Sequence, residues 1–431
     1  MPTNRVCDKA IQHLANEAML AGELFNIDIV MLILDTSDSK NFALNKFTID
    51  HLGLPMTIQV IHLSRSQQRE YIKGWINEIQ PPVTYESNVS MIKQLLPDGV
   101  SYGAAMNRAF LFSNHLGCDT IHRRDSDSDY QYVKGKWIYP IIHELRFLGS
   151  NNEAVNKLKS KVPLGSYRDI HLVGGSYVGA WSMDVEGLYD KNRQAFYNSV
   201  GLCMPDQLSD HDKHTLVDEL FVNRDVDVFQ YDEIELGYAN TAPIDMCNVS
   251  FWRIHQQLPV PNALDTIGTD YFLIAILQAL EVPTVHHNRH IKNYHTARRK
   301  TESGFIDYQC RIVKFYLYMS YLYAICAEIN GSNKNYVDDR ITITAGVLSR
   351  IIKSIVTPQK LIDNKQKLQK IIDAYDAAGG SYQVLSKQLV REQDNLVQEA
   401  QNDMQLFAEW LDLWDVLIHV SARQQCKGLG S

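Results

Sequence analysis

The run of residues 27–34 (IDIVMLIL) is the feature that most limits what this chain can fold into. It is aliphatic almost throughout, and the polar loop 35–38 (DTSD) follows it directly. A strand that is buried on both faces has this composition, and such strands belong to sheets that are covered by helices on both sides. Because ligands gather at the carboxyl ends of strands in open α/β sheets, we expect an α/β protein whose polar loops follow its strands.

The composition of the chain changes near residue 300. Before that point, short apolar runs alternate with clusters of Gly, Pro, Asp and Ser, a pattern that favours strands alternating with helices. After it only one proline remains, Pro358, and helical periodicity predominates, with two apolar patterns around Gly379-Gly380 that predict an antiparallel helical hairpin. We therefore predict an α/β domain over residues 1–300, a helical region over residues 301–427 and a flexible tail at residues 428–431.

Charge and cysteine content limit the partners and the compartment. The 431 residues carry a formal net charge of -8, which disfavours nucleic acid as the main partner because a phosphate backbone requires a positive field. The seven cysteines are scattered and include no Cys-x-x-Cys pair, so neither a disulfide framework nor a zinc finger is indicated. The N-terminus lacks the basic and then apolar profile of a signal peptide. Together these features predict a cytoplasmic protein.

One segment, residues 305–329, is apolar enough to raise the question of a membrane span. It is rich in tyrosine, and four charged side chains interrupt it: Asp307, Arg311, Lys314 and Glu328. Because hydroxyls and charges at this density are costly in hydrocarbon, we interpret the segment as a buried helix and expect no membrane partner.

The sharpest chemical signal is the acidic turn Asp125-Ser126-Asp127. Two carboxylates one residue apart can present oxygens to one hard cation, which suits Mn²⁺ or Mg²⁺ with water and substrate phosphates in the remaining positions. A diphosphate bound to such a cation is a better leaving group, because the cation stabilises the charge that develops on departure. Arg123 and Arg124, just before the turn, could offset the carboxylate repulsion or reach the phosphates. The competing interpretation is a solvated acidic turn.

This turn follows a helix-like stretch that begins Gly103-Ala-Ala-Met-Asn107-Arg108. The combination resembles the core of GT-A glycosyltransferases, in particular the family 2-like group, in which a Gly-x-x-x-Asn-Arg helix precedes a strand that ends in Asp-x-Asp. The resemblance covers roughly residues 27–299 and implies a nucleotide-binding mixed sheet flanked by helices. The chain departs from the family at residues 122–124 (HRR), where an apolar strand is usual.

Carried over to this chain, the resemblance implies a donor site and a metal site. Asp125 and Asp127 would meet the metal and the ribose and diphosphate of the donor. Asn107 and Arg108 would lie near the donor, and Asp35, at the end of the first strand, would contact the nucleotide.

A third metal ligand and further phosphate contacts are expected from residues 285–295 (VHHNRHIKNYH). Many GT-A enzymes supply a late histidine to the metal, and here His290 is the first choice and His287 the second. The resemblance also implies that nearby basic residues bind the leaving diphosphate: Arg289, Lys292, Arg298 and Arg299. A zinc site formed by the histidines and a solvated polar loop are the alternatives.

The expected catalytic base is Asp270, which precedes the apolar helix predicted at residues 272–280. In inverting members of the resembled group, a carboxylate at such a loop–helix junction deprotonates the acceptor hydroxyl, and Asp265 is the second candidate. The alternative is that Thr269 or Asp270 only caps the helix. Gly174 and Gly175 either let a ligand approach the backbone closely or form a tight hairpin turn.

The sequence therefore predicts a metal-dependent glycosyltransferase, inverting by preference, that moves a sugar from a nucleoside diphosphate sugar to a soluble small-molecule acceptor. A sugar-phosphate nucleotidyltransferase is an alternative, although the Gly-rich basic loop that it normally has after its first strand is replaced here by the acidic residues 35–38. A non-catalytic binding or assembly protein is a third hypothesis. The tyrosine-rich helix and the pair Trp410 and Trp414 favour a homodimer through the helical region.

Overall fold

The computed structural model of the chain describes residues 1–80, 85–150, 153–162, 169–223, 226, 228–293, 301–331 and 344–423. Over these residues the protein is a mixed α/β structure with an open mixed sheet and a helical C-terminal region, which confirms the predicted class at this level. Residues 294–300, at the predicted domain boundary, and the predicted tail at 428–431 lie outside the described residues.

The first part of the chain forms a small parallel sheet with strand order β1-β2-β3. Its strand β2 is the buried run identified in the sequence, and the residue that follows the acidic loop, Ser39, begins a helix that the Asp38 side chain caps by accepting a hydrogen bond from the Asn41 N–H. A capping box between Ser64 and Gln67 begins the helix after β3. The elements are β1 (Pro2–Thr3), α1 (Asp8–Phe25), β2 (Ile29–Asp35), α2 (Ser39–Asp50), β3 (Ile58–Leu63), α3 (Arg65–Asn77), α4 (Tyr85–Leu95) and α5 (Tyr102–His115).

The second sheet is mixed and carries the acidic turn at one edge. Its main path has the order β4-β10-β8-β11-β5-β6, and β9 pairs with β11 while β7 pairs with β9. Strands β8 and β11 are parallel, whereas β10 is antiparallel to both β4 and β8. The elements are β4 (Thr120–Arg123), β5 (Asp129–Val133), β6 (Lys136–Ile138), α6 (Ile141–Phe147), α7 (Glu153–Asn156), β7 (Lys159–Ser160), β8 (Leu172–Gly179), α8 (Glu186–Lys191), α9 (Arg193–Val200), a 3₁₀ turn (Gly201–Cys203), α10 (Asp210–Val217), a π-helical turn (Asp218–Val222), β9 (Ile234–Tyr238), β10 (Val249–Trp252), α11 (Ile254–Gln257), α12 (Tyr271–Ala279) and β11 (Pro283–Asn293).

The C-terminal region consists of helices that share a core with the α/β part. The predicted hairpin is present as two contacting helices, which Gly379 and Gly380, both at positive φ, separate. The last helix packs on α5, where the Trp414 and Phe110 rings meet edge to face at a centroid distance of 6.4 Å, and the Asn114 side chain donates a hydrogen bond to the Ile418 carbonyl at 2.7 Å. The elements are α13 (Glu302–Gly331), α14 (Ala345–Ile355), α15 (Pro358–Ala378) and α16 (Ser381–Arg423).

Helix α13 contains the apolar segment that raised the question of a membrane span. Among the described residues it is the one helix long and apolar enough to cross a membrane, but 61% of its apolar window is buried inside the protein. Lys314 on this helix is buried, and its Nζ lies 3.0 Å from Glu399 and 3.2 Å from Asp403, both on α16. Most of this apolar window is therefore buried within the protein, in line with the interpretation of the segment as a buried helix.

A Gly103→Ala substitution is expected to destabilise the protein by about 3 kcal/mol, the upper end of the usual cost of overpacking. A Cβ at this position in α5 would overlap the carbonyl oxygen of Pro261 and lie 2.7 Å from its carbonyl carbon, so helix and loop would have to separate. That movement would also break the hydrogen bonds by which Asn107 holds Val260. The free energy of unfolding in urea measures the effect.

Gly346→Ala is the matched control, because an added Cβ in α14 meets nothing within 4 Å. It should be neutral or stabilise the helix by up to about 1 kcal/mol. Equal stability of the two variants would contradict the close contact between α5 and the loop at residues 258–262.

Candidate functional site

A cavity of about 1260 Å³ lies between the two sheets and helices α12 and α13. Four of the carboxylates in its lining interact with one another: Asp125, Asp127, Asp245 and Asp270. The first two come from the turn after β4, the third precedes β10 and the fourth precedes α12. The fold therefore brings together acidic side chains that lie up to about 145 residues apart in the sequence.

Arg123, the last residue of β4, connects two of these carboxylates. Its Nε and Nη2 donate to Asp125 at 3.2 and 3.3 Å, and its Nη1 donates to Asp270 Oδ2 at 2.5 Å. Burial alone would lower the pKa of this guanidinium, but the two carboxylates outweigh it and raise the pKa. The expectation that Arg123 offsets carboxylate repulsion is confirmed. Arg124 does not line the cavity and instead pairs with Glu17 and Glu144.

The acidic cluster carries more negative charge than Arg123 can balance. The pKa of Asp125 is raised to about 6, first by burial and then by Asp127, Asp270 and Asp245, although Arg123 opposes the shift. Crowded carboxylates hold protons in this way until another cation reaches them. Of the two carboxylates in the Asp-x-Asp turn, Asp127 is the more exposed to solvent. The Arg5 Nη1 lies 3.4 Å from its Oδ2 at the surface.

His290, the predicted third metal ligand, does not form a group with the carboxylates Asp125 and Asp127. His290 Nδ1 accepts a hydrogen bond from the Ser176 N–H at 2.9 Å, on the β8 side of β11. In the described ranges no three His, Cys, Asp or Glu side chains meet in a group that could hold a metal ion, so the set Asp125, Asp127 and His290 is not assembled. The geometry offers two carboxylates for a cation, with its other positions left to water or substrate.

The other histidines of β11 are part of the sheet. His286 Nε2 contacts the Tyr238 carbonyl at 2.9 Å, and His287 is buried with neither ring nitrogen hydrogen-bonded. A Cβ on Gly175 would lie 2.6 Å from the His287 ring, so this glycine is needed for packing. Gly174 and Gly175 lie within β8, and the interpretation of these glycines as a hairpin turn is wrong.

Asp270 occupies the N-cap position of α12 without capping it. Its side chain makes no capping hydrogen bond and instead pairs with Arg123 in the cavity wall. Asp265 lies elsewhere: it adopts a positive φ, and its Oδ1 accepts a hydrogen bond from the Val100 N–H at 3.3 Å. Of the two candidates for a base, Asp270 is therefore the one that faces the acidic cluster.

Asp245 and its partners were missed by the sequence analysis. Tyr271 donates its hydroxyl to Asp245 Oδ2 at 2.7 Å, and the Cys247 N–H donates to Asp245 Oδ1 at 3.0 Å. Burial raises the pKa of the Cys247 thiol, as do the charges of Asp245 and Asp125, so this sulfur stays protonated. The only sequence signal was an acidic residue shortly before a short strand, which is too common to single out.

Two of the predicted donor contacts are buried and engaged by the protein itself. Asp35 is fully buried and accepts hydrogen bonds from Asn45 at 2.8 Å and His62 at 3.0 Å. Burial would raise its pKa, but these donors and Ser37 lower it overall. Asn107 is also fully buried and bonds both the N–H and the carbonyl of Val260. Neither residue lines the cavity, and both make hydrogen bonds within the protein.

Arg108 does line the cavity, together with Arg65. Its Nη1 donates to the Leu95 carbonyl, and its Nε is buried without a hydrogen bond. Burial lowers the pKa of Arg108 to about 9, and the charge of Arg65 adds to the effect. Positive charge thus lies in the cavity wall near the end of α4.

The basic residues expected to bind the leaving diphosphate are not found at the cavity among the described residues. Arg289 pairs with both oxygens of Asp232 at 2.7 and 2.9 Å and does not line the cavity, so its charge is already balanced. Arg298 and Arg299 lie outside the described residues.

Comparison with known proteins identifies a family whose function is unknown. A family model described as a family of unknown function (DUF6271) matches residues 1–429, and the chain therefore belongs to that family. No curated protein and no solved structure matches the chain. Function has to be argued from the geometry of the site.

Proposed function

We propose that this member of the DUF6271 family is a metal-dependent glycosyltransferase of GT-A type, which moves a sugar from a nucleoside diphosphate sugar to a soluble small-molecule acceptor. The observation that carries the proposal is Arg123, which holds Asp125 of the Asp-x-Asp turn and Asp270 on one wall of a large cavity. A metal-binding carboxylate and a base must lie close together if they serve the two sides of one anomeric carbon.

Asp125 and Asp127 fit Mn²⁺ or Mg²⁺ as paired carboxylate ligands. These cations take oxygen ligands and retain positions for water and phosphate. Burial raises the pKa of Asp125, and the nearby carboxylates Asp127, Asp270 and Asp245 add to the shift; a bound cation would favour the charged form of these carboxylates. The bound cation would supply positive charge next to the leaving diphosphate. Arg108 and Arg65 are the nearest candidates for additional contacts to donor oxygens, because both line the same cavity.

We assign the role of general base to Asp270. The acceptor oxygen or nitrogen forms a bond to the anomeric carbon while the bond from that carbon to the diphosphate breaks, with inversion. The acceptor proton passes to Asp270 Oδ1, because Arg123 occupies Oδ2. Tyr271 and Asp245 lie beside this position in the cavity wall and are placed to orient the acceptor.

The sugar-phosphate nucleotidyltransferase is the second candidate, since it would use the same acidic turn. The region after β2 disfavours it, because its acidic residues are Asp35, which is buried, and Asp38, which caps α2, and neither would attract a triphosphate. We also propose a cytoplasmic location, with which the six free cysteines of the described ranges agree. A homodimer through the helical region stays a proposal.

Thermal unfolding with UDP, GDP, CDP, ADP and dTDP, each with and without Mn²⁺, tests the donor class. One nucleotide should raise the unfolding temperature only when Mn²⁺ is present, since ligand at 100 times its Kd stabilises the folded state by about 2.7 kcal/mol. Nucleoside triphosphates in the same series identify the nucleotidyltransferase. Absence of any shift would favour a non-catalytic protein.

Asp127→Asn tests the metal assignment with little risk to folding, because the Asp127 side chain is 31% exposed and its ion pair with Arg5 lies at the surface. The variant should lose the Mn²⁺-dependent nucleotide shift. Asp129→Asn is the control: Asp129 lies two residues further on, pairs with Lys9 and His13, and does not line the large cavity. Retention of the full shift in Asp127→Asn would remove the metal from the proposal.

A further inference from the structure

The cavity extends well beyond the acidic cluster, along one face of α13. Phe315 lies against Gly268, two residues before Asp270, and the cavity wall continues from there to Asn330. At the 1.5 Å rise of an α-helix, this arm is about 22 Å long. The α13 residues that line it recur at helical spacing: Phe315, Met319, Leu322, Tyr323, Cys326 and Asn330.

The other residues that line this arm are also largely apolar. Helix α12 packs beside α13, where the Cys326 Sγ lies 3.7 Å from the Ala275 carbonyl oxygen, and adds Ala275 and Ala279 to the lining. Leu216 of α10 and Leu220 and Phe221 of the π-helical turn complete it. Such turns occur frequently at functional sites. At the far end the lining residues Gln278, Glu281 and Asn330 are exposed, so the arm opens to solvent there.

Apolar surface that lines an arm open to solvent is in contact with water, and a bound apolar group would remove it from water at a gain of about 25 cal/mol per Å². Larger side chains in place of Ala275, Ala279 and Cys326 would fill the arm, so the small residues preserve the space. Met319 and Met204 in the wall are unbranched and adapt to a ligand of variable shape.

We infer that this arm binds a linear hydrocarbon chain, and that the acceptor is an amphiphile with a hydroxyl or amine at one end. This inference rests on the proposed function for the role of the bound molecule, but not for its binding. The arm is continuous with the acidic cluster, so a chain lying along α13 brings its polar end to Asp270 and directs its tail towards Asn330. On this inference the solubility of the acceptor in water depends on the length of its hydrocarbon chain.

Binding of uncharged primary alkanols, from hexanol to dodecanol, tests the chain site directly by calorimetry on the full-length protein. Affinity should rise about fourfold with each added methylene while the chain remains inside the arm, as expected for burial of a CH₂ group. An affinity that does not depend on chain length would overturn the inference.

Two substitutions of alanine by tryptophan, one in the arm and one outside it, locate the binding site. Ala279→Trp places an indole in the arm and should weaken dodecanol binding at least tenfold, whereas Ala327→Trp, at an exposed position of α13 that does not line the cavity, should leave it unchanged. Cooperative thermal unfolding shows that each variant folds, and equal dodecanol binding by both would overturn the placement.

The alkanol and nucleotide experiments distinguish failure of the hydrocarbon-chain site from failure of the glycosyltransferase proposal. Chain-length-dependent alkanol binding without any Mn²⁺-dependent nucleotide shift supports the apolar site and overturns the glycosyltransferase. A nucleotide shift with flat alkanol affinities leaves the glycosyltransferase standing and overturns the amphiphilic acceptor.

Discussion

Replacement of Asp270 by Asn is expected to lower kcat for sugar transfer by about 10³-fold, the usual contribution of a general base. The amide keeps the size of the carboxylate, and its oxygen can still accept the hydrogen bond from Arg123, so the wall of the cavity is preserved. Asn cannot take the acceptor proton. Binding of the nucleotide with Mn²⁺ should persist, because Asp125 retains both of its hydrogen bonds from Arg123. Initial rates with the nucleotide sugar selected by thermal unfolding, together with the nucleotide shift itself, separate the two effects.

Asp265→Asn is the control for this prediction. The Asp265 side chain is 54% exposed, lies 3.8 Å from Arg311 and does not line the cavity, so its variant should transfer sugar at nearly the normal rate. If Asp270→Asn keeps more than about a tenth of kcat, against the hundredfold or greater loss expected of a base, Asp270 is not the base. A large loss in Asp265→Asn instead would transfer that role to Asp265.

Features that are local in the sequence were predictable. The strand at residues 29–35 and the C-terminal hairpin each follow from a pattern of apolar residues within a short window, and both are present. The acidic turn was also identifiable, because two carboxylates one residue apart are a local pattern. Such signals depend on the chain's own neighbours and survive whatever the tertiary fold does.

The partners of the acidic turn were not predictable in the same way. Asp245 influences Asp125 across 120 positions, and only the order of strands in the second sheet sets that proximity. Burial was equally invisible: Asp35 and Asn107 carry the chemistry of ligand contacts, yet they are fully buried. Arg289 has the charge to bind phosphate, but Asp232 already balances it.

Replacement of Arg124 by Met is expected to destabilise the protein by at least about 3–5 kcal/mol, since removal of one partner leaves buried charge uncompensated. Arg124 donates to Glu17 at 2.8 and 3.0 Å and to Glu144 at 3.0 Å, and both carboxylates are buried. Burial would raise the pKa of Glu144, but Arg124 and His122 outweigh it and lower the pKa to about 2. The loss is a large part of the 5–15 kcal/mol that stabilises a typical protein, and urea unfolding measures it.

Two further variants separate charge from packing in this result. Arg253→Met removes an exposed pair with Asp119, whose partners are 49% and 57% exposed, and should cost less than about 1 kcal/mol. Adding Glu17→Gln and Glu144→Gln to Arg124→Met removes the stranded charges and should restore part of the lost stability. Because α1, β4 and α6 meet at this network directly behind the acidic turn, the position of Asp125 depends on it. If Arg124→Met unfolds at the same urea concentration as the unmodified protein, interactions other than those of Arg124 hold Asp125 in place.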